Sequence, residues 1–462
     1  MRIGVSVQRE RLTGTAVSES GCLITSAALP LPNLSEAVVE KSLKELLREL
    51  VSRAKHDHPG ASGACTAEPP VDSMTFDLSD ALSTLPADSP SIAVRVAPRP
   101  PIDEIHELRV RHVAPPAINY VAGGCTTLGE VLVPLNEAAV RKIARTSPPA
   151  ARFVVTAVGA VVNPAQELRV GELLLAYTSP SSIDYSHHFP NSSFAVRERT
   201  ALLNCQLIPP TERLVTALTL GAEQFAPTAR LTATTNSGGS VPLHRVTLEP
   251  VHSLLSGPPA EFIGAASVLG VTDGHIAVHG PRGIEFAEIV SGVPTAIPQF
   301  RGPEGFILAT QAADIKPLTE GLHAEFAVTP KLLEAQDRAG ASIPGFDASI
   351  ETDIDLRSLG AALSPLSAWD IAVVQIGSAE EMQRALDAAR ARAGARLVSY
   401  GALASSVRIL EARLATTAYE HPRVVSVRAR GIAVQRAANY FSAGEGELRR
   451  PDSPTGGGES AP

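Results

Sequence analysis

Residues 152–177 read RFVVTAVGAVVNPAQELRVGELLLAY. Arg152–Val162 is a continuous run of β-branched and small apolar residues, the pattern of a strand buried on both faces. Asn163-Pro164 breaks the run, because proline lacks a backbone donor and restricts the residue before it. Ala165–Tyr177 then resumes as a helix. A buried strand, a turn and a helix in succession form the unit from which α/β domains are built.

The same alternation extends in both directions. Ile3–Val7, Leu12–Val17 and Cys22–Ala27 read as short strands, with Ser18–Gly21 as a turn between the last two. A helix is predicted over Ser35–Arg53, capped by Ser35 and carrying Val39, Leu43, Leu46, Leu47 and Leu50 at helical spacing. Further on, Leu231–Thr235 reads as a strand, Ser253–Leu269 as a turn feeding a helix, and Ile276–Val278 with Glu285–Val290 as paired strands. Ser378 and Glu381 form a capping box for a helix over Ala379–Ala393. A helix near Leu403–Thr417 and a strand at Val424–Arg428 complete the pattern. Two α/β regions are expected, 1–225 and 226–442, followed by a disordered, Gly/Pro-rich tail over 443–462. Residues 300–440 match no functional pattern.

Composition narrows the function classes. The 462 residues include 40 Lys+Arg against 48 Asp+Glu, a net charge of −8, which argues against a nucleic-acid partner. No apolar run reaches the roughly 18 residues of a membrane span, and the N-terminus lacks a signal-peptide pattern. A cytoplasmic protein is expected. Cys22, Cys65, Cys125 and Cys205 have no zinc-knuckle or CxxC spacing and read as free thiols. Proline (37) outnumbers glycine (35), although phosphate-cradling loops need glycine.

Five stretches occur in order: GEVLVPLNEAAVRKIA (129–144), FVVTAVGAVVNPAQELRVGELL (153–174), NSSFAVRERTALLNCQLIPP (191–210), TTNSGGSV (234–241) and SLLSGPPAEFIGAASVLG (253–270). Together they resemble the ATP-dependent hydantoinase A and 5-oxoprolinase family over roughly residues 1–295. The matching elements are Asn163-Pro164-Ala165-Gln166-Glu167-Leu168-Arg169, Glu198-Arg199-Thr200 with Asn204, Asn236-Ser237-Gly238-Gly239, and Leu254–Glu261. The resemblance implies an actin-like (ribonuclease H-like) two-lobed ATPase fold. It also implies ATP-driven opening of a cyclic amide such as a hydantoin or 5-oxoproline, commonly with a hydantoinase B-like partner subunit.

The phosphate loops depart from that pattern. Ser6 stands where the family has a metal-organising aspartate, and Arg9-Glu10 replace a Gly-Thr pair. A hydroxyl does not replace a carboxylate in orienting Mg²⁺-bound water, and bulky side chains keep phosphate from the backbone. In the second loop, His279 and Phe286 take the two aspartate positions, and Pro281-Arg282 replace the glycine pair. A third element, H-G-T-T in the family, becomes Phe76-Asp77-Leu78-Ser79-Asp80. The later Gly-rich segment is missing from Gln299–Thr310. The expectation is a pseudoenzyme: a non-hydrolysing accessory or binding subunit with no catalytic residues, no metal and no cofactor. Its partner would be a hydantoinase B-like subunit or a second copy.

Two alternatives remain at this stage. One is an active hydrolase holding Mg–ATP through substitutes such as Glu10, Glu285 or Asp80. The other is a sensor of an acidic metabolite using Arg9–Arg11 and Arg282, since arginine suits carboxylates. Candidate ligand-binding residues are Asn236, Ser237, Gly238 and Gly239, either a polar turn at a strand end facing a cleft or a plain Gly-rich turn. Ser256 and Gly257 open a helix whose free N–H groups suit an anion, and Ser256 is equally an ordinary N-cap. His187-His188, with Asp184 upstream, have poor geometry for a shared metal.

Overall fold

The computed structural model describes residues 1–57, 70–85, 90–99, 116–280, 283–301, 307–318, 348–350, 352, 354–416 and 424–433. The expected tail at 443–462, the loop positions Pro281 and Arg282, and Cys65 lie outside the described residues.

The chain opens with β1 (Arg2–Val7), β2 (Arg11–Val17), β3 (Leu23–Pro30), α1 (Glu36–Asp57), β4 (Ser73–Asp77) and α2 (Ser79–Thr84). Next come β5 (Ser91–Ala97), β6 (Ala117–Ala122), β7 (Gly124–Cys125), β8 (Val131–Val133), α3 (Glu137–Thr146), β9 (Arg152–Ala157), α4 (Ala165–Tyr177) and β10 (Ser182–Tyr185). The long α5 (Phe194–Glu223) leads to β11 (Arg230–Thr234), β12 (Ser240–Pro242), α6 (Leu243–Val246) and α7 (Gly257–Leu269). A hairpin follows, β13 (Gly274–Gly280) and β14 (Gly283–Val290), with β15 (Val293–Pro294) beside it. Five short strands come next: β16 (Ala296–Ile297), β17 (Phe300–Arg301), β18 (Ile307–Leu308), β19 (Ala312–Ala313) and β20 (Lys316–Pro317). The last elements are β21 (Ala348–Ile350), α8 (Leu356–Leu363), β22 (Leu366–Gln375), α9 (Ala379–Ser399), β23 (Val407–Thr416) and β24 (Val424–Ala433).

The main sheet has the order β23-β24-β22-β12-β11-β4-β1-β2-β3. Within it β1, β4 and β11 run parallel, and β2 and β3 fold back antiparallel. That is the strand order of a ribonuclease H-like lobe. The order begins again in the sheet β15-β14-β13-β21, an antiparallel meander with β21 parallel to β13. This repeat is what an actin-like two-lobed fold requires. The main sheet takes strands from both sides of residue 225, because α5 is the crossover that returns the chain to lie beside β4. A third, all-parallel sheet, β10-β9-β5-β6, is inserted between α2 and α5.

Burial follows the sequence periodicities. Leu43, Leu46, Leu47 and Leu50 of α1 are fully buried in one core with Ile3, Val5, Val7 and Leu12, and each such leucine contributes about 1.5–3 kcal/mol. The inserted sheet has its own core around Val94, Phe153, Val155, Val170 and Leu174. The lobes meet where α7 crosses α8, and side chains there are absent by necessity. A Cβ on Gly264 would stand 2.3 Å from the Leu356 carbonyl oxygen, and one on Gly360 only 1.7 Å from that of Ala260. The same helix α8 presses on β1, where Gly4 leaves room for the Ser358 carbonyl.

The strand expected over Arg152–Val162 stops at Ala157, and a turn through Gly159 (φ +76°) fills the remainder. One element is corrected outright. The helix expected near Leu403–Thr417 is a strand over Val407–Thr416, held by an antiparallel ladder to β24. Leu403, Val407, Leu410 and Leu414 fit a helical stripe locally, but pairing with a distant strand satisfies the backbone instead. Among the described residues no helix is long and apolar enough to cross a membrane.

Candidate functional site

Ser6 and Asp77 are register partners on the parallel strands β1 and β4, near their carboxyl ends. Both are buried, at 0% and 1% exposure. Ser6 Oγ donates to Asp77 Oδ2 at 3.2 Å. The Ser79 amide and hydroxyl each donate to the same carboxylate at 3.2 Å, and Ser256 Oγ donates at 2.8 Å. Thr234 Oγ1 adjoins the group, 2.9 Å from Ser256 Oγ and 3.4 Å from Asp77. An ionised carboxylate has about four lone-pair sites, so these donors saturate it.

Ser256 is the N-cap of α7, yet its side chain makes no capping bond, since it turns to Asp77. A protein carboxylate therefore sits at the helix end that otherwise suits an anion. Gly257 is packed against Ser79 and Arg357: a Cβ there would stand 2.7 Å from Ser79 Oγ and 3.2 Å from Arg357 Nη1. Arg357, from α8, pairs with Asp80 at 3.1 Å and Glu261 at 3.6 Å. Burial disfavours its charge, but Asp80, Asp77, Glu261 and Asp355 outweigh burial and raise its pKa.

The other loop positions lie at strand turns. Arg9 and Glu10 are exposed at the turn from β1 to β2, which is closed by a 3.0 Å bond from Gln8 N to Arg11 O. His279 pairs with Ile284 in the β13–β14 hairpin, and Phe286 is buried at 7% exposure on β14.

A cavity of about 500 Å³ opens on the far side of β11 from Asp77. Asn236 and Ser237 line it, whereas Ser256 and Gly257 do not. Gly238 (φ +83°) and Gly239 (φ +102°) bend the backbone beneath it. A Cβ on Gly239 would strike Ser367 Cβ at 2.5 Å, so only glycine lets β12 and β22 approach there. Opposite stand Trp369, Tyr400 and Arg396, and the remaining wall includes His188, Arg245, Glu249 and His252. Trp369 Nε1 donates to Ser237 Oγ at 3.0 Å. Arg430, buried behind Trp369, donates to the carbonyls of Ser237, Gly238 and Pro294. Burial lowers its pKa to about 10, only partly opposed by the charge of Glu411.

The family-like motifs build this cavity from behind. Asn204 holds the Leu248 carbonyl through Nδ2 at 3.1 Å and accepts from Val251 N at 3.4 Å, fixing the wall that carries Glu249 and His252. Thr200 Oγ1 accepts from Ala309 N, another wall residue, at 2.8 Å. Glu198 forms a buried bidentate pair with Arg95, at 2.5 and 2.8 Å, and burial raises the Glu198 pKa against that pairing. Glu167 accepts from Ser186 Oγ and bonds to His187 Nδ1, both at 2.6 Å, which sets the turn presenting His188. Asp184 instead bonds Asn204 Nδ2 at 3.1 Å, so the Asp184 and His187 side chains serve separate networks. Buried Cys205 has its thiol pKa pushed up by desolvation.

Of the candidates, then, the structure brings Asn236 and Ser237 to a cavity and puts Ser6, Ser256 and Gly257 around Asp77. Sequence reasoning missed Arg245, Glu249, His252, Ser367, Trp369, Arg396 and Tyr400. Trp369 alone carried a signal, as the single tryptophan of the chain.

No family model and no curated protein matches the sequence. Solved structures do match the fold. The nucleotide-free structure of acetone carboxylase, described for ATP-dependent acetone carboxylation, superposes with a TM-score of 0.61 at 12% identity, covering 93% of this chain and 87% of that one. The ATP-dependent caprolactamase from Pseudomonas jessenii superposes with a TM-score of 0.60 at 12% identity, covering 95% and 88%. Both neighbours belong to the hydantoinase/oxoprolinase family. The chain thus has their actin-like α/β fold.

Proposed function

We propose that this chain is a non-hydrolysing binding or accessory subunit that takes a small ligand in the cavity beside Asn236 and no Mg–ATP at the ends of β1 and β4. The supporting observation is the saturated Asp77. Its hydrogen bonds to Ser6, Ser79 and Ser256 leave no lone pair for metal-bound water, and it occupies the anion-favouring end of α7. The motifs that match the family instead brace the cavity walls, through Asn204, Thr200 and Glu167. The proposed partner is a hydantoinase B-like subunit or a second copy, and the proposed setting is the cytoplasm.

One observation favours the rival reading, ATP-driven opening of a cyclic amide: both fold neighbours are described as ATP-dependent. That reading needs a carboxylate free to organise Mg²⁺. Asp80 is held by Arg357 at 3.1 Å, and Glu10 lies on an exposed turn. Phosphate release from Mg–ATP, measured with and without a hydantoin or 5-oxoproline, separates the two. The binding-subunit reading expects no turnover above the no-protein blank. Turnover that is abolished by Asp77→Asn would establish the hydrolase.

A further inference from the structure

The edge of β22 that borders the cavity has almost no neighbouring strand. β22 pairs with β24 along its whole length, from Leu366 to Gln375, yet meets β12 only at Leu366, through Ser240. Ser240 N donates to the Pro365 carbonyl at 2.7 Å, so the backbone groups of the alternate residues Ser367, Trp369 and Ile371 point to the same side. Arg396 Nη1 donates to the Trp369 carbonyl, which agrees with that direction. β12 ends at Pro242, where the chain turns into α6, and no other strand takes up this edge among the described residues. Ser367, Ala368, Trp369 and Ile371 all line the cavity, and Trp369 and Ile371 are only partly buried. An uncovered edge of this kind is a template for an added strand.

The accessible groups around this edge set the chemistry of its occupant. Arg245, Glu249 and Arg396 line the cavity with side chains 33%, 40% and 47% exposed. Arg245 Nη2 pairs with Glu249 at 3.0 Å, so those two charges cancel. Arg392 holds Asp370, through Nε at 3.1 Å and Nη2 at 2.9 Å, whereas Arg396 reaches that carboxylate only at 3.7 Å. Burial lowers the pKa of both His188 and His252, which keeps them neutral near pH 7. Among these groups one positive charge is in excess, at Arg396 beside the Trp369 carbonyl, and it complements an acidic side chain. The run from Ser367 to Ile371 spans about 13 Å at about 3.3 Å per residue, the length of about five residues of extended chain. Val241, Val246 and Ala309 give the cavity an apolar surface for alternate side chains of that chain.

We infer that the cavity takes a short extended peptide segment of a partner, laid as an added strand along the Ser367–Ile371 edge of β22, with one Asp or Glu side chain at Arg396. Main-chain hydrogen bonds to the edge supply affinity, and the carboxylate fixes the register. This deepens the binding-subunit reading, on whose cavity it rests, by naming the ligand class.

The test is calorimetric titration of the full chain with the blocked pentapeptide acetyl-Val-Thr-Glu-Thr-Val-amide. The controls are its Gln analogue and two N-methylated forms, one methylated at both Thr residues and the other at Val, Glu and Val. The inference expects saturable binding of the Glu peptide, weakened about tenfold or more in the Gln analogue. An added strand turns alternate N–H groups to its neighbour, so one methylated form should lose binding and the other keep it. Arg396→Gln should bind the Glu peptide no better than the Gln analogue. Ile371→Pro removes one edge N–H, at a position where a strand tolerates proline, and should weaken binding about tenfold. No saturable binding of the Glu peptide up to about 10 mM would overturn the inference. Equal affinity of the two methylated forms would also overturn it, as would unchanged affinity in both variants. A parallel titration with Mg–ATP keeps the two readings apart. Saturable nucleotide binding refutes the proposed function, whereas missing peptide binding refutes only the ligand class.

Discussion

Replacing Ser6 by aspartate restores the family residue at the first phosphate loop, and here it should damage the protein. Ser6 Oγ lies 3.2 Å from Asp77 Oδ2, and both residues are sealed from solvent. Ser6→Asp removes that hydrogen bond, worth about 1 kcal/mol, and sets two carboxylates side by side. Like charges about 4 Å apart repel by about 4 kcal/mol at an effective dielectric of about 20. The sum, about 5 kcal/mol, corresponds to a drop in melting temperature of roughly 10 °C or more for a large domain. The penalty carries a pH signature. Repulsion raises the carboxyl pKa in the folded state above the unfolded value of about 3.9. The destabilisation is therefore small near pH 4 and grows as pH rises through the folded value. Thermal unfolding of Ser6→Asp at pH 4.5 and 7.5 reads both effects. Ser6→Asp combined with Asp77→Ser should recover most of the loss, because the charge merely changes strand. A Ser6→Asp protein as stable as the parent at pH 7.5, and newly able to bind Mg–ATP, would refute the reasoning.

Other expectations follow from the packing. Gly360→Ala places a Cβ 1.7 Å from the Ala260 carbonyl oxygen and should cost about 3 kcal/mol or more. Gly394→Ala on α9 meets only Val407 Cγ1 at 3.7 Å and should stabilise by about 0.5–1 kcal/mol. Denaturant midpoints check both, and equal effects would contradict the close helix crossing. Glu198→Ala strands buried Arg95 and should cost about 3–5 kcal/mol; a loss under about 1 kcal/mol would show that the pair is not buried as described. His252 has its pKa lowered by burial, opposed by Glu249 and reinforced by Arg245 and Arg396. Its contribution to stability should therefore be present above about pH 6.5 and fall away as pH drops below that, at up to about 1.4 kcal/mol per pH unit. His252→Gln should flatten that stretch of the curve of melting temperature against pH.

Local signals in the sequence carried much of the fold. The helix Ala165–Tyr177 and the opening meander are legible because one residue window contains both the apolar period and its breaker. Leu403–Thr417 was not, since its apolar residues fit two periods and the choice is made by β24, which lies further along the chain. The site divides in the same way. Asn236 and Ser237 stand out as a turn, and they do line the cavity. Asp77 reads in sequence as a lost motif, and its central place emerges only from the Ser6–Asp77 register between strands 71 residues apart. Ser367, Trp369, Arg396 and Tyr400 come from a stretch without any recognisable pattern. Their convergence with Arg245 depends on β22 joining β12 through the single register pair Ser240–Leu366.

The most direct test of the closed phosphate region is calorimetric titration of the full-length protein with Mg–ATP at pH 7.5. An Asp77 saturated by Ser6, Ser79 and Ser256 predicts no saturable heat at millimolar nucleotide. Micromolar binding, lost on Asp77→Asn, would contradict the account.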